Sequence, residues 1–183
     1  MKKRAALWTT LLLLVLLSSC GDRESEREVL RGKLDTECEE KTEELSERAA
    51  LLRQELTKLM TEHRVLDEKH AVLDVGLEGK KMSAEDKAVQ QGHLQAERYH
   101  EKTIKVAEDM LNRFEACKRA HEEAEETHGT IPLDEVRKEH EQFESDLEDF
   151  QVEFDSMIRI VGEANEQMAI IFKEHEALSA KYK

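Results

Sequence analysis

The sequence predicts an all-α fold, an elongated antiparallel three-helix coiled-coil bundle behind a cleaved export signal. Three observations carry this. Charged residues make up 38% of the chain and aromatics 4%, with one proline and seven glycines. That composition suits long helices and lacks the turn residues that sandwiches, barrels and doubly wound sheets require. Apolar residues recur at alternating spacings of three and four in three long segments, the mark of a coiled-coil seam. Two short clusters containing glycine or proline separate those segments. The apolar content suffices for a narrow seam and not for a wide core, which disfavours a pocketed enzyme. No glycine-rich phosphate loop, nucleophile elbow or His-Glu-x-x-His pattern is present, so no enzymatic activity is expected. A formal charge of -14 argues against a nucleic-acid partner, because phosphate binding needs basic clusters.

The chain opens with Lys2, Lys3 and Arg4, continues through the uncharged run Ala5 to Leu17, and reaches Ser18, Ser19 and Cys20. Basic, apolar and small regions in that order read as a secretory signal over 1–19. The run is shorter than the roughly 20 residues that span a bilayer. Leu17-Ser18-Ser19-Cys20 resembles the processing box of bacterial lipoproteins. The resemblance implies cleavage before Cys20, a diacylglyceryl group on its sulfur and a palmitate-type acyl chain on its amine. This covalent lipid is the one non-protein group expected. An ordinary signal with an incidental cysteine is the alternative. Retained lipoproteins of enteric-type bacteria carry Asp after the cysteine. Gly21 therefore points, by the same resemblance, to the outer membrane and a body facing the periplasm. Two or more acyl chains anchor stably, and an acidic body is repelled by anionic lipid. Residues 20–30 are expected to form an acylated tether before a bundle over 31–183.

The first helix is expected over 31–74. Cys38, Leu45, Leu52, Leu59, Leu66 and Leu73 hold one seam position, and Thr42, Ala49, Leu56, His63 and His70 the position alternating with it. The break Asp74 to Gly79 follows. Ser83, with Glu85 and Asp86 behind it, reads as the N-cap of a second helix over 84–128. That helix has the weakest seam, running through His93, His100, Thr103, Phe114, Cys117, His121 and His128, with Gly92 weakening it locally. Gly129 and Pro132 mark the second break, glycine ending one helix and proline opening the next. The third helix, 132–182, is the most apolar. Folding at the two breaks stacks Leu45, Met110 and Phe150 in one layer. Ala49, Ala107 and Phe154 form a second, Leu52, Thr103 and Met157 a third, and Leu66, Val89 and Ile171 a fourth. Compensating sizes of this kind suit close packing. A single long hairpin, or one extended helix, that self-associates is the alternative. Ile158, Ile160, Ile170 and Phe172 widen the third helix's apolar stripe, which predicts a face for a partner or a second copy.

Cys38 and Cys117 fall in one expected layer beside Phe143. Disulfides persist in exported proteins, so a Cys38–Cys117 bond is expected, worth ~4 kcal/mol by loop entropy; two free thiols are the alternative. All eight histidines occupy seam positions. The expected fold-back brings His63 near His93, His121 near His140, and His70 near His175. Such pairs charge near pH ~6 and would repel, which makes them candidate pH-sensing layers. The simpler reading is neutral, partly exposed polar layers that set register. No metal is expected, because Zn²⁺ wants three or four ligands, no expected layer supplies them, and no Cys-x-x-Cys spacing exists.

The chain closes on Leu178-Ser179-Ala180-Lys181-Tyr182-Lys183. This resembles the end of murein lipoprotein, Ala-Thr-Lys-Tyr-Arg-Lys, without its penultimate Arg. The resemblance implies attachment to peptidoglycan through Lys183; an unattached end is the default. Three antiparallel helices place the two ends of the bundle roughly 70 Å apart at 1.5 Å per residue. The expected function is a membrane-anchored periplasmic spacer or scaffold with a protein or cell-wall partner. A holdase that clasps unfolded clients between its helices is the alternative.

Overall fold

The computed structural model describes residues 2–182, with side chains for Ser25 and from Arg27 onward. Three helices follow one another: α1 (Lys2–Leu77), α2 (Ala84–Glu125) and α3 (Leu133–Lys181). Among the described residues there is no strand, and the fold is the expected all-α three-helix bundle. Among the described residues no helix is long and apolar enough to cross a membrane. The side chains of Leu17-Ser18-Ser19-Cys20 and the whole of Lys183 lie outside the described residues. The segment expected as a tether, 20–30, has helical backbone continuous with α1. The bundle proper begins at Arg31, whose guanidinium donates to the Ile131 carbonyl at 2.8 Å.

Each helix end follows from local chemistry. α1 runs past Gly76 and stops where Gly79 takes φ +74, a left-handed conformation that glycine adopts without a Cβ penalty. Lys80 N–H then closes the turn on the Leu77 carbonyl at 2.9 Å. Ser83 caps α2, its Oγ accepting from Asp86 N–H at 3.1 Å. The same Asp86 holds the end of α3. Its Oδ2 accepts from Lys181 Nζ at 2.6 Å, from Ser83 Oγ at 2.6 Å and from the Tyr182 hydroxyl at 2.5 Å. Lys181 foremost, then Ser83 and Tyr182, hold the Asp86 carboxyl well below the usual carboxylate range. Ser83→Ala should lower stability by about 1 kcal/mol, read as a shift in urea midpoint. An unchanged midpoint would mean that the cap does not hold this end.

The core is a single file of seam residues. Leu52, Leu59 and Leu66 of α1, Phe114 of α2, and Phe154, Val161 and Met168 of α3 are fully buried. α1 and α3 run parallel in the expected register. Lys41 pairs with Glu144, Arg48 with Asp155, and Lys69 with Glu176 at 3.5 Å. Asn165, buried in this interface, donates to Glu55 Oε2 at 2.8 Å and to the Glu55 carbonyl at 3.3 Å. A buried amide of this kind penalises any slipped pairing that strands it.

α2 departs from expectation by one heptad. His63 faces His100 and not His93, with ring centroids 6.5 Å apart, while His93 faces His70 at 6.3 Å. Phe114, not Ala107, meets Phe154, at 5.2 Å. The cause is the position of the first turn. α1 continues to Leu77, so the connection lies later than the expected break. Moving the fold point of an antiparallel pair by half a heptad moves every partner by a whole one.

The wide apolar stripe expected on α3 is largely taken up by the bundle. Ile158 and Phe172 pack against the core and Ile160 is half-buried, leaving Ile170 exposed. The remaining exposed apolar side chains are scattered. They include Leu51, Met60 and Val72 on α1, Leu94 and Val106 on α2, and Val152 on α3.

Candidate functional site

The seam histidines gather into two clusters at opposite ends of the bundle, because the residues of one heptad position stack level by level through three helices. Six of them, His93, His100, His121, His128, His140 and His175, are buried; His63 and His70 are half-buried. Burial of these six departs from the partly exposed polar layers that the pattern suggested, whereas His63 and His70 keep partial exposure.

The first cluster lies where Asp35 and Cys38 of α1 meet His121 of α2, His128 beyond its end, and His140 of α3. It is a nearly closed network. His140 contacts Cys38 Sγ through Nδ1 at 3.1 Å and Asp35 Oδ1 through Nε2 at 2.9 Å. His128 reaches Asp35 Oδ1 at 3.3 Å and Glu139 Oε2 at 3.1 Å. His121 stacks flat on Phe143, centroids 3.7 Å apart, and meets His140 edge-on at 5.1 Å. Burial, followed by the neighbouring His140 and His128, pushes the His121 imidazole down to about 4. A groove of about 660 Å³ opens beside this cluster, lined by Asp35, Glu39, Lys118, His121 and Glu125 among others.

The expected Cys38–Cys117 disulfide is absent and both thiols are free. The slipped register explains this. Cys38 shares its level with His121 and His140, and Cys117 lies one helical turn before His121. A turn is about 5.4 Å of rise, which takes Cys117 out of bonding geometry and into a groove beside Phe143 and Asp146. Burial, then Glu144, pushes the Cys38 thiol up to about 11. Burial raises Cys117 too, but its side chain is only half-buried. Thiolate fraction and access govern alkylation, so native protein treated with iodoacetamide should label at Cys117 well before Cys38. Peptide mass mapping after short exposure would show this. Recovery of a linked Cys38–Cys117 peptide without reductant would contradict the register.

The second cluster lies near the α1–α2 turn. His70 of α1, His93 of α2 and His175 of α3 form a ring stack, with centroids 4.2 Å apart for His70–His175 and 5.4 Å for His93–His175. His93 donates from Nε2 to Glu174 at 2.6 Å. Glu97 Oε1 lies 2.8 Å from His70 Nδ1. Burial, then His70 and His93, pushes His175 down to about 4. Burial also lowers His70 and His100, a donated bond from the ring to Gln167 partly opposing it at His100. The inward nitrogens of the trio, His70 Nε2, His93 Nδ1 and both ring nitrogens of His175, have no hydrogen-bond partner among the described residues.

Among the described residues three sets bring ligand atoms within 4.8 Å of one another: Cys38, His121 and His140; Asp35, His128 and His140; and His70, His93 and His175. The expectation that no layer holds three ligands is thereby corrected. His121–His140 and His70–His175 meet as expected, and the slip of α2 adds His93 to the second pair. Asp35, Glu97, Glu174 and Asn165 escaped the sequence reading. The first three lie just off the seam, where an acid reads as solvated. Asn165 follows Ala164, and only the neighbouring position fits the heptad.

No protein-family model, curated protein or solved structure matches the chain.

Proposed function

We propose that the chain is a bacterial envelope lipoprotein, held to a membrane by acyl chains on Cys20, whose bundle serves as a spacer or scaffold for a protein or cell-wall partner. The observation that supports this reading is the polarity of the bundle. Arg31 enters at the α2–α3 turn, whereas Tyr182 is clamped at the α1–α2 turn through Ser83 and Asp86. The 49 residues of α3 carry the chain about 70 Å between those levels at 1.5 Å per residue. The exposed apolar side chains are dispersed over all three helices. That favours a rigid spacer over a clasp for unfolded clients, which would need a continuous apolar surface.

The test has two readouts on the full chain in bacterial envelopes. Mass spectrometry of the N-terminal peptide should show an acylated Cys20, and Cys20→Ser should release the protein from the membrane fraction. Photo-crosslinkers placed at Ile170 and Tyr182 should then capture a discrete envelope partner, or a muropeptide should be found on Lys183. An unmodified Cys20 would sink the anchor. An acylated protein with no partner at either position and no muropeptide would sink the spacer.

A further inference from the structure

We infer that His70, His93 and His175 form a binding site for a divalent transition-metal ion of the Zn²⁺ class, coordinated by three imidazoles in the bundle interior. The inference does not depend on the membrane anchor. It rests on four observations.

The first is hydrogen-bond accounting. His93 and His175 are 3% and 1% exposed, yet four ring nitrogens of the trio have no partner among the described residues. A buried polar atom left unpaired destabilises the fold, and a native core seldom carries several at one level. A cation at their centre satisfies three of them at once. The second is geometry. The three ligand atoms lie within 4.8 Å of one another. Tetrahedral Zn–N bonds of about 2.0–2.1 Å require nitrogens separated by about 3.3 Å, a distance that small rotations of the rings can supply.

The third is a carboxylate behind one of the ligands. Glu174 takes the Nε2 proton of His93, which leaves the Nδ1 lone pair for an ion. Glu97 Oε1 lies 2.8 Å from His70 Nδ1 without a hydrogen bond to it. A carboxylate behind a ligating imidazole fixes its tautomer and raises its basicity. The fourth is access. A groove of about 510 Å³ lined by Val65, Glu68, Lys69, His175 and Glu176 among others reaches the His175 ring, and a turn of that ring would admit an ion and a fourth, water ligand. Three neutral imidazoles with no thiolate select Zn²⁺, Cu²⁺, Ni²⁺ or Co²⁺ over Ca²⁺ and Mg²⁺.

The other two sets are poorer sites. Both ring nitrogens of His140 and of His128 are already engaged by Cys38, Asp35 and Glu139. A metal there would have to break bonds that the fold has made.

The experiment uses the full chain in detergent, stripped with chelator, and titrated calorimetrically with Zn²⁺ and spectroscopically with Co²⁺. One equivalent should bind in the micromolar range or tighter. The Co²⁺ spectrum should be tetrahedral and lack a thiolate charge-transfer band. His175→Gln should weaken Zn²⁺ at least 100-fold. Glu174→Gln changes a half-exposed residue and leaves the core intact. It should weaken binding about 10-fold, so the idea stays testable if His175→Gln fails to fold. Cys38→Ser should leave affinity unchanged. Failure to bind at micromolar Zn²⁺ would overturn the inference. So would binding that survives both variants, or a thiolate band abolished by Cys38→Ser.

Discussion

Truncating Phe114 to alanine should cost about 3–5 kcal/mol, a large share of what holds a bundle of this size together. Phe114 is fully buried. It meets Phe150 edge-on at 5.4 Å and Phe154 at 5.2 Å with nearly perpendicular planes. On α2 its buried neighbours are Met110 and Leu111. Neither can fill the volume of a whole aromatic ring without giving up its own place in the core. Removing an aromatic from such a site loses its transfer energy and leaves the void. Val152→Ala, at a side chain 71% exposed, should stay within about 0.5 kcal/mol. Urea denaturation of both variants reads the contrast. A double-mutant cycle between Phe114 and Phe154 is sharper, because aromatic pairs couple by about 0.5–1.5 kcal/mol. The register expected from the sequence puts Ala107 beside Phe154 and predicts no such coupling. A zero coupling energy would therefore speak for that register and against the one described.

The difference between those registers shows what the sequence made legible. The three helices, the α1–α3 pairing and the Ser83 cap follow from periodicities and capping chemistry that are local in the chain. The position of α2 depends on where one turn closes. Asp74, Gly76 and Gly79 all lie near that turn, and composition does not say which glycine adopts positive φ. The structure chooses Gly79. That choice moves His93 from His63 to His70, and Cys117 away from Cys38. The histidines recur every seven residues in pairs, His63 with His70 and His93 with His100, so a slip of one heptad still matches imidazole to imidazole. The pattern tolerates the ambiguity that defeats its reading. The carboxylates around the clusters were hidden for another reason. An Asp or Glu just off a seam has the same sequence signature whether it faces water or a buried histidine.

Acid should loosen this bundle well above the pH at which its carboxylates protonate, and His121 should account for much of the effect. Its imidazole titrates near 4 in the folded chain and near the ordinary ~6.5 once unfolded. Between those values the unfolded state binds the extra proton. Stability is therefore full above about pH 6.5 and falls as pH drops toward 4, by about 1.4 kcal/mol per pH unit for one linked imidazole. The groups facing His121 set the sign. Phe143 covers one face of the ring. Burial lowers the imidazole most, followed by His140 and His128; Asp35 and Glu139 oppose them without prevailing. Glu125, 3.3 Å from His121 Nε2, is raised by its own burial and so stabilises the fold as it protonates. That offsetting contribution comes near its carboxylate range, so the effect is read most cleanly between pH 7 and 5. Urea midpoints should fall across that interval. His121→Leu keeps the contact with Phe143 but carries no proton, and should flatten the slope by about 1 kcal/mol per pH unit. An unchanged slope would mean that the proton lodges elsewhere in the network. A charge placed on an imidazole stacked against Phe143 should weaken that contact, so the expected loss falls on the pairing of α2 with α3.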